Sequence, residues 1–522
     1  MKNLRTTGLA IASVFFLAAC EGDDGSDGTD GADGLNSLVA TRDIPKGDPV
    51  CAGGGLALDS GLDTNRNDVL DAGEVTATEL LECVTAPNLR ALHASPDAPP
   101  VNILVNGAVA LTDVDFGAGS GFVPVTETTQ VQVEAIIPGG NAIVIDETLE
   151  LDFSNDYTVV AVGEVAAPIA ALVLSSETGE LITPGNFRAQ VLHAAPNAPA
   201  VDVYVTVFGA DLTASAPING TALAFEDATD RLEVAAGDYQ IRVTLAGDPT
   251  TVVFDSGEIT LGADADLLIA AIENTGTGAT PIQLVVLDGT AAAPLLDTTT
   301  PASAVAVHAS PDAPSVDVLA DDLATPADDA LLLAEDYAFT EFCEIGAVPA
   351  PADYTLSITP TGDPTTVALS FPLSVTPGDE ATAIVTGLLM GTPGIQPIAL
   401  ANDSRSVVTE TKLRVVHASP STGDVDVYLL ADGTDLNDMS VTPTFGAVPF
   451  TADSGIVSVA PGTYDVYVTP AGDKSVIAIE VQDLAVGGGD VLDVIARDPR
   501  TDGSEGPLPQ LIVIDYNALP AC

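Results

Sequence analysis

The sequence predicts an all-β chain, built as tandem immunoglobulin-like β-sandwiches behind a small, disulfide-closed N-terminal module. Three observations carry this. One motif recurs four times at a spacing near 100 residues. Each recurrence is followed by short runs that alternate apolar and polar residues, the two-residue period of a half-buried strand. Turn signals break these runs roughly every 8–12 residues, and no long stretch carries a helical period.

Taken in order, residues 1–19 have a basic start (Lys2, Arg5) and a short apolar run from Leu9 to Ala19, and Leu17-Ala18-Ala19-Cys20 closes them. This resembles a bacterial lipoprotein signal, which implies export and lipid attachment at Cys20. The run is too short for a spanning helix, so lipid is the expected anchor. Glu21 after the cysteine favours an outer-membrane or cell-surface location, by similarity to enterobacterial sorting. Residues 20–36 form an acidic tether with glycine at 22, 25, 28, 31 and 34. Without proline, five triplets do not make a collagen helix, and a spacer is expected.

Residues 37–86 are read as a small module. Cys51 and Cys83 bracket it, and pairing them would stabilise a thin core by on the order of 3–4 kcal/mol. Cys343 and Cys522 are then left to pair with each other. Inside the module, Asp63, Asn65, Asn67, Val69, Asp71 and Glu74 occupy positions 1, 3, 5, 7, 9 and 12 of an EF-hand-like loop. Alternating oxygens, a carbonyl at position 7 and a glutamate at 12 are what calcium requires. Asp68 stands where the pattern wants glycine, and aspartate tolerates the left-handed conformation better than most residues. Glu74 to Cys83 has the length of a short exit helix, whereas no entering helix is expected. The rival reading is a turn-rich loop without metal.

The repeats are placed at 87–183, 184–300, 301–409 and 410–522. They open as LRALHASPDAPPVNILVNG, FRAQVLHAAPNAPAVDVYVT, SAVAVHASPDAPSVDVLADD and KLRVVHASPSTGDVDVYLLADG. The chain's four histidines, His93, His193, His308 and His417, hold one position in these openings, with proline at +3 and Asn102, Asp202, Asp317 or Asp426 at +9. Tyr239, Tyr354 and Tyr464 each begin an alternating run that ends in a Gly-Asp turn. The first repeat departs from this, with Ala142 near the tyrosine position and a shorter turn. The HASPDAPxVDV opening with its later G-x-Y strand resembles the bacterial family known as domain of unknown function 4397. That resemblance implies exported, β-rich, tandem proteins without an established catalytic activity.

The His, Ser and Asp of this motif do not make a good triad. Ala195 replaces the serine in one copy and Asn102 the acid in another, and an amide cannot stabilise an imidazolium as a carboxylate does. A structural corner is expected instead: proline ends the strand, the adjacent Asp or Asn makes a turn, and the histidine bonds a turn carbonyl or the residue at +9. Composition narrows the partners. With 75 acidic against 15 basic residues and a net charge of −60, the chain repels nucleic acid and anionic lipid. It lacks tryptophan, which argues against a conventional sugar-stacking face. HExxH, Walker and Gly-x-Ser-x-Gly patterns are absent. The expected protein is therefore a non-enzymatic, lipid-anchored envelope rod with a structural, adhesive or ligand-presenting role toward a cell-surface or extracellular protein or glycan. The alternatives are an envelope hydrolase using acids in inter-domain loops, and a periplasmic receptor or assembly partner.

Overall fold

A computed structural model describes residues 34–522, except 46–47, 52, 84–85, 168, 178–180 and 324–329. The lipidation site expected at Cys20, the signal segment and most of the tether lie outside the described residues. The described chain divides into two units. In one, strands Ser37–Ile44, Gly55–Leu62 and Val75–Cys83 form an antiparallel meander. The stretch expected as an exit helix is therefore the third strand: Val75–Cys83 pairs along its whole length with Gly55–Leu62, and this ladder satisfies its backbone groups. Cys51 and Cys83 are disulfide-bonded.

The other unit contains the four repeats. Among the described residues each repeat contributes eight strands. In repeat 3 one sheet runs Phe342–Val348, Ala302–His308, Glu380–Thr386, Gln396–Ala401, and the facing sheet runs Leu331–Tyr337, Val316–Asp322, Ala352–Pro360, Leu369–Val375. Repeats 1 and 4 have the same strand order. Repeat 2 redistributes its strands as five and three.

The sandwiches expected from the sequence are present, with one feature that alternation did not announce. Each opening strand, the one ending at the histidine, pairs in parallel with a later strand: Asn88–His93 with Asn155–Val162, Asn186–His193 with Asp266–Glu273, Ala302–His308 with Glu380–Thr386, and Thr411–Ala418 with Val491–Arg497. We call these partners the return strands. They read as nearly continuous apolar runs, the pattern of strands covered on both faces.

The second cover is a neighbouring repeat. Inward residues such as Leu89, Ala91, Tyr157 and Val159 fill the sandwich's own core. Outward residues form separate clusters: Leu92, Ala94, Val160 and Val162 pack against Leu192, Ala194, Leu268 and Ile272. Val307, Ala309 and Ile384 pack in the same way with Val416, Ala418 and Ile495. The two residues flanking each motif histidine are thus interface residues. The repeats are joined face to face as pairs 1–2 and 3–4, which corrects the picture of a rod of separate sandwiches. Arg405 also reaches repeat 1, donating to the carbonyls of Pro96 and Ala98 (3.3 and 2.8 Å) and pairing with Asp115. The expected second disulfide joins Cys343 to Cys522, whose Cα atoms are 4.9 Å apart, and ties the C-terminus to an edge strand of repeat 3.

If the shared clusters are cores, Leu192→Ala will cost about 2–5 kcal/mol. Amide exchange will then accelerate in both Asn88–His93 and Asn186–His193; acceleration confined to repeat 2 would show that the faces do not stabilise each other.

Candidate functional site

The motif histidines sit at the ends of the opening strands, where proline ends the ladder, and all four are at most 2 % exposed. Each Nε2 lies 3.0–3.1 Å from the carbonyl six residues on, that of Pro99, Pro199, Pro314 or Gly423. Each Nδ1 accepts from the backbone N–H two residues on, at Ser95, Ala195, Ser310 or Ser419. A carbonyl only accepts and an amide N–H only donates, so the partners assign the tautomer: neutral, with the proton on Nε2. Neither nitrogen has a lone pair free for a metal or a substrate proton. Burial lowers the pKa of all four, that of His93 to about 4, and the carbonyl bond offsets this only in part. A phenylalanine meets each ring edge to face: Phe116, Phe225, Phe339 and Phe450. Sequence reading missed these four, of which Phe116, Phe339 and Phe450 follow the third strand of their repeat and Phe225 lies between the second and third.

Of the two partners expected for the histidine, the turn carbonyl is the one used, and the +9 residue bonds elsewhere. Asp317 accepts from Asp336 N and Gly362 N, and Asp426 from Ala447 N and Gly472 N. Asp202 accepts from Asn219 Nδ2 and Gly247 N. These glycines belong to the Gly-Asp hairpin turns, so the carboxylate buckles the second strand to the turn of the central hairpin. Asn102 accepts from Asp113 N and donates to Glu134. The amide thus stands in the repeat with the shorter turn, where a donor finds a carboxylate to bond. Two of the three motif serines are likewise engaged in structure, Ser310 donating to Gly387 O (2.8 Å) and Ser419 to Asp498, while the Ser95 hydroxyl is buried without a hydrogen-bond partner.

The acidic loop joins two strands as a hairpin connection. Asp63 accepts from Asn67 N and Asp68 N (3.1 and 2.9 Å). Glu74 Oε1 accepts from the Thr64 hydroxyl, Thr64 N and Asn65 N, and its Oε2 from Asp71 N. The Thr64 hydroxyl, then these amides, hold the Glu74 carboxyl down to about 2. Asn65 and Asn67 both donate to Asp71. Val69 is exposed, and its N–H donates to Asn67 Oδ1. Asp68 has φ 59°, the left-handed backbone expected at that position. Gly61 is required before the loop, because a Cβ there would lie 1.9 Å from Glu74 O. The two carboxylates therefore staple the loop, and the three donors on Glu74 Oε1 leave that oxygen no lone pair in reserve.

Two further groupings stand apart from the motifs. Asp432, Asp465 and Asp483 bring carboxylate oxygens within 4.8 Å of one another, and Asp465 already accepts from Gly433 N and Asp483 N. Between the sheets of repeat 3 lies a cavity of about 370 Å³ with an almost wholly apolar lining. Empty apolar space of this size costs on the order of several kcal/mol. Sequence reading missed it, although its cause is legible: four paired inward positions on the opening and return strands are Ala304, Ala306, Ala381 and Ala383. The same positions are Leu89, Ala91, Tyr157 and Val159 in repeat 1, Ala189, Val191, Leu267 and Ile269 in repeat 2, and Leu413, Val415, Leu492 and Val494 in repeat 4.

Comparison with known proteins places residues 87–204 and 302–428 in matches to the family Domain of unknown function (DUF4397). Residues 36–81 match Domain of unknown function (DUF7151). Each DUF4397 match begins at or just before the opening strand of an odd-numbered repeat and runs through the opening motif of the next. No curated protein matches the chain.

The pH dependence follows from the histidines. Their folded pKa values lie below the ordinary 6.5, so the unfolded chain binds more protons as pH falls below 6.5, a window that for His93 extends down to about 4. Stability is complete above that window and falls as pH drops through it, by about 3 kcal/mol for His93 at its lower end. Melting curves from pH 7.5 to 4.5 will show a shallower decline in His93→Gln, on a lower plateau, than in the native chain. Parallel declines would remove the imidazole as the cause.

Proposed function

We propose that this chain is a non-enzymatic protein of the bacterial cell envelope, exported and held at the membrane by lipid on Cys20, where paired β-sandwiches act as a structural, adhesive or ligand-presenting scaffold. One observation carries the reading: all four copies of the motif's most reactive residue are buried and neutral, with both nitrogens bonded to backbone. What repeats in this chain is a device for joining strands and domains. Charge supports the same reading. Among the described residues six of the fifteen Lys and Arg are buried (Arg90, Arg188, Arg405, Lys412, Arg414 and Arg497), which leaves an outer surface dominated by carboxylates. Such a surface resists self-association and anionic partners. The partners it suits are cell-surface or extracellular proteins and neutral or cationic glycans.

We further propose calcium as a ligand of the loop from Asp63 to Glu74. The support is the spacing of the oxygens together with the left-handed backbone at Asp68. Calcium would add a rigid centre to a loop whose own hydrogen bonds already close it.

Cys20→Ser will move the chain from the membrane fraction to the soluble fraction, and mass spectrometry of the native N-terminal peptide will find a diacylglyceryl adduct. A variant that stays with membranes would defeat the anchor. Titrating the full chain with calcium will show a site at or below millimolar strength that Glu74→Gln removes; identical isotherms would assign the loop to folding alone.

A further inference from the structure

Repeat 3 keeps an apolar chamber where its three sister domains keep a filled core, and the difference lies in four side chains. Ala304, Ala306, Ala381 and Ala383 take positions that carry three or four larger residues in every other repeat. The space is also reachable. On the return strands, the inward residues Tyr157 and Val159, Leu267 and Ile269, and Leu492 and Val494 are all buried. Ala381, Ala383 and Val385 in repeat 3 are only half-buried, although their strand is at the centre of its sheet and covered on its other face. Their accessible surface therefore faces the chamber.

The chamber has a polar end and a closed end. Ser374 and Asp379 line it where the opening and return strands begin, and both are exposed there, whereas the Glu380 carboxylate turns to the opposite face of the sheet, where it accepts from Ser404 N. At the other end lie His308 and Tyr337, both with satisfied polar atoms: His308 bonds Pro314 O and Tyr337 donates to Ala306 O (2.7 Å). Neither offers a group to a polar ligand, so the floor is apolar in effect. The walls are Leu356, Phe371 and the alanines. The edge of this same sandwich carries the Cys343–Cys522 disulfide, and the C-terminal segment adds backbone bonds to Glu344 at 2.8 and 3.2 Å. The domain with the thinnest core is thus the one stapled from outside, which resists collapse of the chamber.

We propose that repeat 3 is a binding site for a neutral, hydrocarbon-rich small molecule whose polar end lies at Ser374 and Asp379. The volume falls within the range of ligand pockets. The Asp379 carboxylate at the mouth selects against an anionic head by like-charge repulsion and accepts from a hydroxyl or amine. This goes beyond the scaffold reading and does not depend on export, lipid or calcium.

The test uses the full chain with N-phenyl-1-naphthylamine as fluorescent reporter and dodecan-1-ol and dodecanoate as competitors at pH 7.5. The native chain will enhance the reporter's emission, dodecan-1-ol will displace it and raise the melting temperature, and dodecanoate will compete at least tenfold more weakly. Ala304→Leu with Ala383→Val, the residues that repeats 1 and 4 carry there, will melt at or above the native temperature and bind at least tenfold more weakly. Ala383→Val alone will bind with intermediate strength. The proposal fails if the native chain binds neither reporter nor alcohol, if the filled variants bind as well as the native chain, or if filling lowers the melting temperature, since that would mean no free space. Equal competition by dodecanoate would overturn the assignment of a neutral ligand.

Discussion

The parallel pairing of each opening strand with its return strand is the constraint from which the rest of the architecture follows. A parallel pair cannot be joined by a tight turn, so the chain must build the facing sheet before it comes back. The pair then lies at the centre of its sheet, and its apolar residues point both ways. One set fills the sandwich; the other must be covered by something else, because an outward patch of Leu92, Ala94, Val160 and Val162 would otherwise face water. A second repeat with the same outward residues supplies that cover. Pairing of domains is therefore a consequence of strand order, and no separate adhesive surface is needed.

The histidine corner belongs to the same device. Where the opening strand stops at proline, the backbone must turn without leaving polar groups unmet next to two cores. An imidazole with one donor and one acceptor, bonded to a carbonyl six residues on and an N–H two residues on, closes that turn. Alanine would leave both backbone groups short of a partner in a site with little access to water. The +9 carboxylate extends the closure to the central hairpin, and the change to Asn102 in repeat 1 tracks a change in what faces it. Reactive residue types are thus used for their hydrogen-bonding geometry, with their titration suppressed by burial.

Charged groups inside the pairs follow the same economy. Arg414 and Asp493 are both nearly buried and bonded through two guanidinium nitrogens, and the Ala401 carbonyl and Asn402 Oδ1 accept further guanidinium N–H groups. Arg90 is buried in the other pair, held by Thr158 and by the face of Phe122. Breaking one partner of such a site strands the other, which favours a single register between faces over a sliding contact. Repeat 3 is the exception to dense filling, and it is also the repeat to which the chain's end is bonded.

Much of this was legible in the sequence. The four histidines at one position established the number of repeats, alternation established strands, and the four cysteines left once Cys20 is set aside for lipid led to the pairs 51–83 and 343–522. The loss of catalytic members between copies argued for a structural motif. These are local properties: period, turn chemistry and composition act over a few residues, and the chain states them directly. What tertiary structure decided is which strand lies beside which. That placed the return strand parallel to the opening strand, made Val75–Cys83 a strand where its length also suited a helix, and turned a string of domains into face-to-face pairs. It also showed that four alanines, unremarkable one at a time, face a common space. Adjacency across 68 to 79 residues depends on loop closure and on the burial of two faces at once, and no short window of sequence contains either.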